Sequence, residues 1–110
     1  MWLFFCNIVY YIVYYMEKSE YYSRVIKVVT ELTEVSEAEI CGKSKKQEVV
    51  DARWLAICLL KEGGWSTHRI AESIGHPVRM VNNALSGMTE RARYAPELGN
   101  NLAIARQQLR

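Results

Sequence analysis

The sequence predicts an all-α fold, a small helical bundle that contains a helix-turn-helix. Apolar residues recur at spacings of three and four in successive segments, which is the periodicity of amphipathic helices. Two prolines, six glycines and evenly spread apolar residues are typical of a folded helical protein rather than a disordered one. The length of 110 residues suits one domain with a modest core.

The first predicted helix spans about Ser19 to Glu34. Its predicted buried face comprises Tyr22, Val25, Ile26, Val29 and Leu32. Because many of these residues are β-branched, packing rather than helix propensity has to stabilise the helix. Ser36 and Glu39 then form a capping box, which predicts a short helical turn with Ile40 facing inward.

A polar loop, Cys41 to Gln47, leads to a helix predicted from about Glu48 to Lys61 and ended by Gly63 and Gly64. Its predicted core positions are Val49, Val50, Leu55, Cys58 and Leu59. A later link around Arg91 to Ala95 precedes a last helix that opens at Pro96. The candidate core contacts of that helix are Leu98, Leu102, Ile104 or Ala103, and Leu109.

The segment from Thr67 to Met88 has the pattern of a DNA-binding helix-turn-helix. Ser66 or Thr67 caps its first helix, and small Ala71 allows a close crossing. Gly75 breaks that helix where a left-handed conformation is expected, and Pro77 stands near the start of the second helix. The apolar stripe of the second helix comprises Val78, Val81 and Leu85.

The opposite face of the second helix carries side chains suited to reading bases. These are Arg79, Asn82, Asn83 and Ser86. Arginine can pair with guanine and asparagine with adenine in the major groove, although a solvated polar face has the same pattern. Residues 43–79 hold seven basic and four acidic residues, whereas residues 17–39 hold three basic and six acidic. The basic excess therefore coincides with the helix-turn-helix unit.

The sequence predicts no metal, no cofactor and no nucleotide. Cys6, Cys41 and Cys58 lack zinc-ligand spacing, and His68 and His76 complete no metal pattern. There is no Gly-rich Gly-Lys-Ser/Thr loop and no catalytic arrangement, so an enzyme is not expected. Three cysteines suit the reducing cytoplasm, the expected location.

Residues 1–16 are almost continuously apolar and rich in aromatic residues, unlike residues 17–110, which are predicted to form the domain. One interpretation is an upstream extension, with natural translation starting at Met16. Another is a short membrane-associating anchor, although about 20 apolar residues are needed to span a bilayer. A membrane contact is expected only if this segment is genuine.

Three segments share their order and spacing with one family of DNA-binding domains. Lys43 to Arg53 has a basic loop, a helix opening with two valines, and then Ala-Arg. Ser66 to Gly75 matches the first helix of a helix-turn-helix, and Pro96 to Leu98 precedes a closing helix. Through them the chain, from about Val25 to Leu109, resembles the C-terminal DNA-binding domain of the bacterial chromosomal replication initiator DnaA.

The resemblance implies a helix-turn-helix bundle of the Trp-repressor-like kind and double-stranded DNA as the partner. Lys45 stands where the family places an arginine in the minor groove, with Lys43 and Lys46 beside it, although clustered lysines are also ordinary surface features. The residues that match the backbone-contacting helix start are Ser66, Thr67 and His68, followed by Arg69.

One part of the chain departs from the family pattern. The segment from Gly75 to Met80 lacks the Asp-His-Ser/Thr-Thr signature that opens the family's recognition helix. We therefore expect a stand-alone DNA-binding protein that reads a different sequence, as a replication accessory or a transcriptional regulator. Two alternatives are a degenerate copy that binds a protein partner through the same helix face, and a membrane-tethered helical protein.

Overall fold

The computed structural model describes residues 20–109, which form six helices with no strand among them. The helices are α1 (20–33), α2 (Glu37–Cys41), α3 (Gln47–Glu62), α4 (Thr67–Ile74), α5 (Val78–Tyr94) and α6 (Pro96–Gln108). The predicted all-α class is confirmed. The apolar segment 1–16, and with it the predicted boundary before residue 17, lies outside the described residues.

α3 is the central helix, because it packs against α2, α4, α5 and α6. Leu55, Ile57 and Leu60 are fully buried in it although they lie on different sides of the helix. A helix that is apolar on most of its sides has to be surrounded by other elements. The predicted core positions Val50 and Cys58 are only half-buried, since they lie nearer the edges of these contacts.

α1 packs on this core through Val25, Ile26 and Val29, as predicted. Val28 is also buried, whereas Tyr22 and Leu32 are half-buried. The capping box before α2 is present, since the Ser36 side chain accepts from the Glu39 N–H and the Glu39 carboxylate accepts from the Ser36 N–H. It directs Ile40 into the core.

The predicted link after Met88 is wrong, because α5 continues to Tyr94 and only Ala95 separates it from α6. Met88 is buried against the core. One turn further, the Arg91 guanidinium pairs with the Asp51 carboxylate of α3 at 2.9 Å. These contacts hold the last turns of α5 against α3, so the chain remains helical.

In α6 the start at Pro96 is confirmed, but neither Ile104 nor Ala103 is a core residue. The buried stripe comprises Leu98, Leu102 and Ala105. Residues four and three apart share a helix face. Ile104 lies beside that face and is 42% exposed, and Leu109 is half-buried at the helix end.

The turn between α4 and α5 has the predicted conformation. Gly75 adopts φ +71°, the left-handed region, and its N–H caps α4 at the Ala71 carbonyl. At the other end, Ser66 rather than Thr67 is the N-cap, with its hydroxyl accepting from the Arg69 N–H. Pro77 precedes α5 as its N-cap.

The left-handed turn makes Gly75 intolerant of a side chain. Gly75→Ala should lower the free energy of unfolding by about 1 kcal/mol, because the left-handed region is unfavourable for L-residues. Urea denaturation measures this. Gly99→Ala is the matched control: Gly99 lies inside α6 and has only ordinary contacts around an added methyl. The control should be neutral or stabilising, and equal losses in both variants would contradict the argument.

Candidate nucleic-acid interface

The loop between α2 and α3 carries the three predicted lysines and is held in place by a buried arginine. Arg53 of α3 is only 5% exposed. Its Nε–H donates to the Ile40 carbonyl and one Nη2–H donates to the Gly42 carbonyl, both at 2.8 Å. Further carbonyl acceptors are Glu39 at 3.2 Å and Ser44 at 3.3 Å. The Arg53 side chain thus provides hydrogen-bond donors for backbone carbonyls from the end of α2 into the loop.

The chemistry of this contact fits its position. The last carbonyls of a helix lack intrahelical partners and carry partial negative charge, so a cation is favourable there. Burial lowers the pKa of the Arg53 guanidinium, but an arginine remains charged at any physiological pH. From the sequence, Arg53 was counted among the basic residues and formed the end of the Ala-Arg motif, but no contact was assigned to it. The available signal was a charged residue placed directly before the apolar run 54–60 of the predicted helix.

With the backbone fixed, the lysine side chains point to solvent. Lys43, Lys45 and Lys46 are all exposed. Lys46 is the N-cap of α3, and its N–H donates to the Ser44 hydroxyl at 3.3 Å. The loop therefore presents three ammonium groups from a backbone that is hydrogen-bonded at several points.

The same loop is joined to the helix-turn-helix. The His76 Nε2–H donates to the Gly42 carbonyl at 2.7 Å, and this carbonyl also accepts from Arg53. His76 follows the Gly75 turn directly, so the start of α5 is tied to the basic loop. The sequence pattern did not indicate this contact, which joins residues 34 positions apart.

The outer face of α5 lies as predicted. Arg79, Asn82, Asn83 and Ser86 are exposed. The opposite face is buried at Val81, Ala84 and Met88, while Val78 and Leu85 are half-buried. The Ser86 hydroxyl donates to the Asn82 carbonyl at 2.9 Å. Its proton is engaged within the helix, so this side chain is available to a base edge as an acceptor.

The residues at the start of α4 form a second group. Ser66 and His68 are exposed and Thr67 is half-buried. The Arg69 guanidinium lies 4.1 Å from the centre of the Trp65 ring, as in a cation–π contact. This group is separated from the Gly75 turn by the length of α4, about 12 Å at the helical rise. The structure therefore brings the loop together with α5, and sets the α4 start apart.

Trp65 connects this second group to α1. Its ring stacks on that of Tyr22, with centroids 5.8 Å apart. The Tyr22 hydroxyl lies 3.4 Å from the Ser73 carbonyl and 3.6 Å from the Cys41 sulfur. Burial of this hydroxyl raises the pKa of Tyr22, so it remains protonated and uncharged at neutral pH. Tyr22 thus bridges α1, α2 and α4.

Two absences apply to the part of the chain that the structure describes. Within residues 20–109, His, Cys, Asp and Glu side chains form no cluster of three or more placed to hold a metal ion. No helix in this range has the length and apolar character needed to cross a membrane.

Comparison with known proteins gave a match to a family of helix-turn-helix domains. A family model described as the bacterial dnaA protein helix-turn-helix matches residues 22–79. The matched region begins in α1 and ends at Arg79, the second residue of α5. No curated protein and no solved structure matched the chain.

The carbonyl contacts of Arg53 can be tested by a substitution that keeps the charge. Arg53→Lys should lower the free energy of unfolding by about 2 kcal/mol or more, because one ammonium group cannot reach all the carbonyls that lie along the edges of the planar guanidinium. Chemical denaturation measures the loss, and amide hydrogen exchange should quicken in the loop. Arg24→Lys, an exposed change in α1, is the control. Unchanged stability in Arg53→Lys would show that the guanidinium does not hold the loop.

Proposed function

This chain belongs to the bacterial DnaA helix-turn-helix family, which binds double-stranded DNA, and from that premise we propose that it is a sequence-specific DNA-binding protein. The observation that carries the proposal is the shared Gly42 carbonyl. Arg53 and His76 both donate to it, so the lysine loop and the start of α5 form one surface. Such a surface can contact a phosphate backbone and an adjacent groove together.

In the proposed complex the first turns of α5 enter the major groove. Arg79, Asn82 and Asn83 are exposed there and carry the donor groups that pair with guanine and adenine edges. Lys43, Lys45 and Lys46 would contact phosphates or the neighbouring minor groove. The α4 start would contact the DNA backbone with Ser66, Thr67, His68 and Arg69, at the positive end of the helix dipole.

The DNA sequence that this chain prefers is proposed to differ from the one that the replication initiator binds. The family match stops at Arg79, so Asn82, Asn83 and Ser86 lie beyond it. We therefore propose a site different from that of the replication initiator, used in replication or transcription control. The family's helix-turn-helix is a binding domain rather than a catalytic one. A cytoplasmic location suits the free thiols of Cys41 and Cys58.

The lysines of the loop should contribute to affinity but not to sequence preference. Lys45→Ala and Lys46→Ala should each weaken binding to all DNA sequences about equally, and should each reduce the slope of log K against log salt by about one. Fluorescence anisotropy across a salt titration measures both effects. Lys27→Ala, an exposed lysine of α1, is the matched control.

The salt titration also separates DNA binding from a protein-interaction role. Phosphate contacts release counterions, so affinity should fall steeply as salt rises. An absence of DNA binding by the unaltered chain at low salt would refute the proposal. The same loss in Lys27→Ala as in Lys45→Ala would show that the loop has no special role.

Arg79 should determine part of the sequence preference. Arg79→Ala should cost roughly 1–3 kcal/mol on the preferred site and relax the preference at one base position. Selection from a random DNA library with the unaltered chain identifies the site, and the same selection with the variant measures the change. Arg93→Ala, an exposed arginine in the last turn of α5, should select the unaltered motif. An unchanged motif in Arg79→Ala would show that α5 is not the recognition helix.

A further inference from the structure

A depression of about 410 Å³ separates the lysine loop from the helix-turn-helix turn. Its apolar lining includes Trp54 of α3, Met80 of α5 and Pro77 before α5. Lys43 and Lys45 stand at its edge. The depression is therefore apolar, partly lined by an aromatic ring, and located in the most basic part of the chain. The side chains that surround it leave this space open.

The position of the Trp54 ring depends on a glycine in α5. A Cβ atom placed on Gly87 would lie 3.0 Å from Cη2 and 3.1 Å from Cζ3 of the indole. These distances are shorter than ordinary van der Waals contact, so the ring is seated directly against the α5 backbone. Trp54 is nevertheless only half-buried, which leaves part of its surface to the depression.

The loop and the turn on either side of the depression are held by hydrogen bonds. The carbonyls of Gly42 and Ser44 are both held by Arg53, and Gly42 is also held by His76. Loop and turn therefore keep their separation without a ligand. A depression that is already ordered loses less binding free energy to the ordering of its walls than a flexible one does.

The side chains that line the depression indicate which kind of ligand it would bind. An indole offers a flat apolar surface, on which a nucleobase can stack. Ammonium groups at the edge attract the phosphates on either side of that base. We infer that the depression binds an unpaired DNA base stacked on Trp54, with the flanking phosphates on Lys43 and Lys45. The site would recognise single-stranded or locally unpaired DNA, because a base within a duplex must first be unstacked at a cost of a few kcal/mol.

This inference rests on the proposed function, since both use the lysine loop, but it is tested separately. The full chain is titrated with fluorescein-labelled dT12 and with an abasic 12-mer of the same charge. Stacking should make dT12 bind at least about fivefold more tightly than the abasic strand. Equal affinities would overturn the inference, even for a chain that binds a blunt duplex well.

Variants of Trp54 test whether its ring causes the preference for dT12 over the abasic strand. Trp54→Leu should remove the advantage of dT12 over the abasic strand, whereas Trp54→Phe should retain most of it. Tyr94→Leu is the control, because Tyr94 is 77% exposed at the end of α5 and does not line the depression. A folded Trp54→Leu protein that keeps the full advantage would overturn the assignment.

A second measurement needs no substitution. A dT12 strand in which 5-iodouracil replaces one thymine is irradiated with the unaltered chain, and the adduct is mapped by mass spectrometry. We expect the adduct on the peptide that carries Trp54. Adducts found only on other peptides would overturn the inference, whether or not the Trp54 variants fold.

Discussion

The proposed DNA-binding surface depends on one buried guanidinium, that of Arg53. Its hydrogen-bond partners are backbone carbonyls rather than a carboxylate, and this choice has an electrostatic consequence. A buried carboxylate partner would cancel the charge next to the loop. Carbonyl dipoles stabilise the cation without cancelling it, so the positive potential of the neighbouring lysines is preserved. The loop can therefore be both well ordered and strongly basic.

α4, the first helix of the helix-turn-helix, is fixed at its two ends by different kinds of contact. At the turn, a left-handed glycine and the His76 hydrogen bond connect α4, α5 and the basic loop. At the start of α4, the stack of Tyr22, Trp65 and Arg69 connects the helix to α1. Hydrogen bonds depend strongly on direction, whereas stacked rings permit sliding. The turn is thus the more precisely positioned end, and it is the end from which α5 begins.

Much of this arrangement was predictable from the sequence, because periodicity and capping are local properties. The capping box at Ser36, the left-handed Gly75 and the outward face of α5 all follow from residues within one or two turns of each other. The errors came from contacts between distant segments. Nothing near Met88 shows that Asp51 will pair with Arg91 and extend α5, and nothing near His76 indicates Gly42 as its partner. Arg53 was visible as a charge directly before the apolar run 54–60, but its hydrogen bonds could not be predicted without the conformation of the loop.

The exposed face of α5 has an evolutionary consequence. Its four outward side chains contribute nothing to the buried stripe of Val81, Ala84 and Met88 on the other side. Substitutions on that face therefore change what the helix contacts while leaving folding almost untouched. A scaffold of this kind can diverge in target preference through single exposed replacements, each compatible with a stable protein. Such a separation allows a chain to keep the family's fold while its recognition face changes.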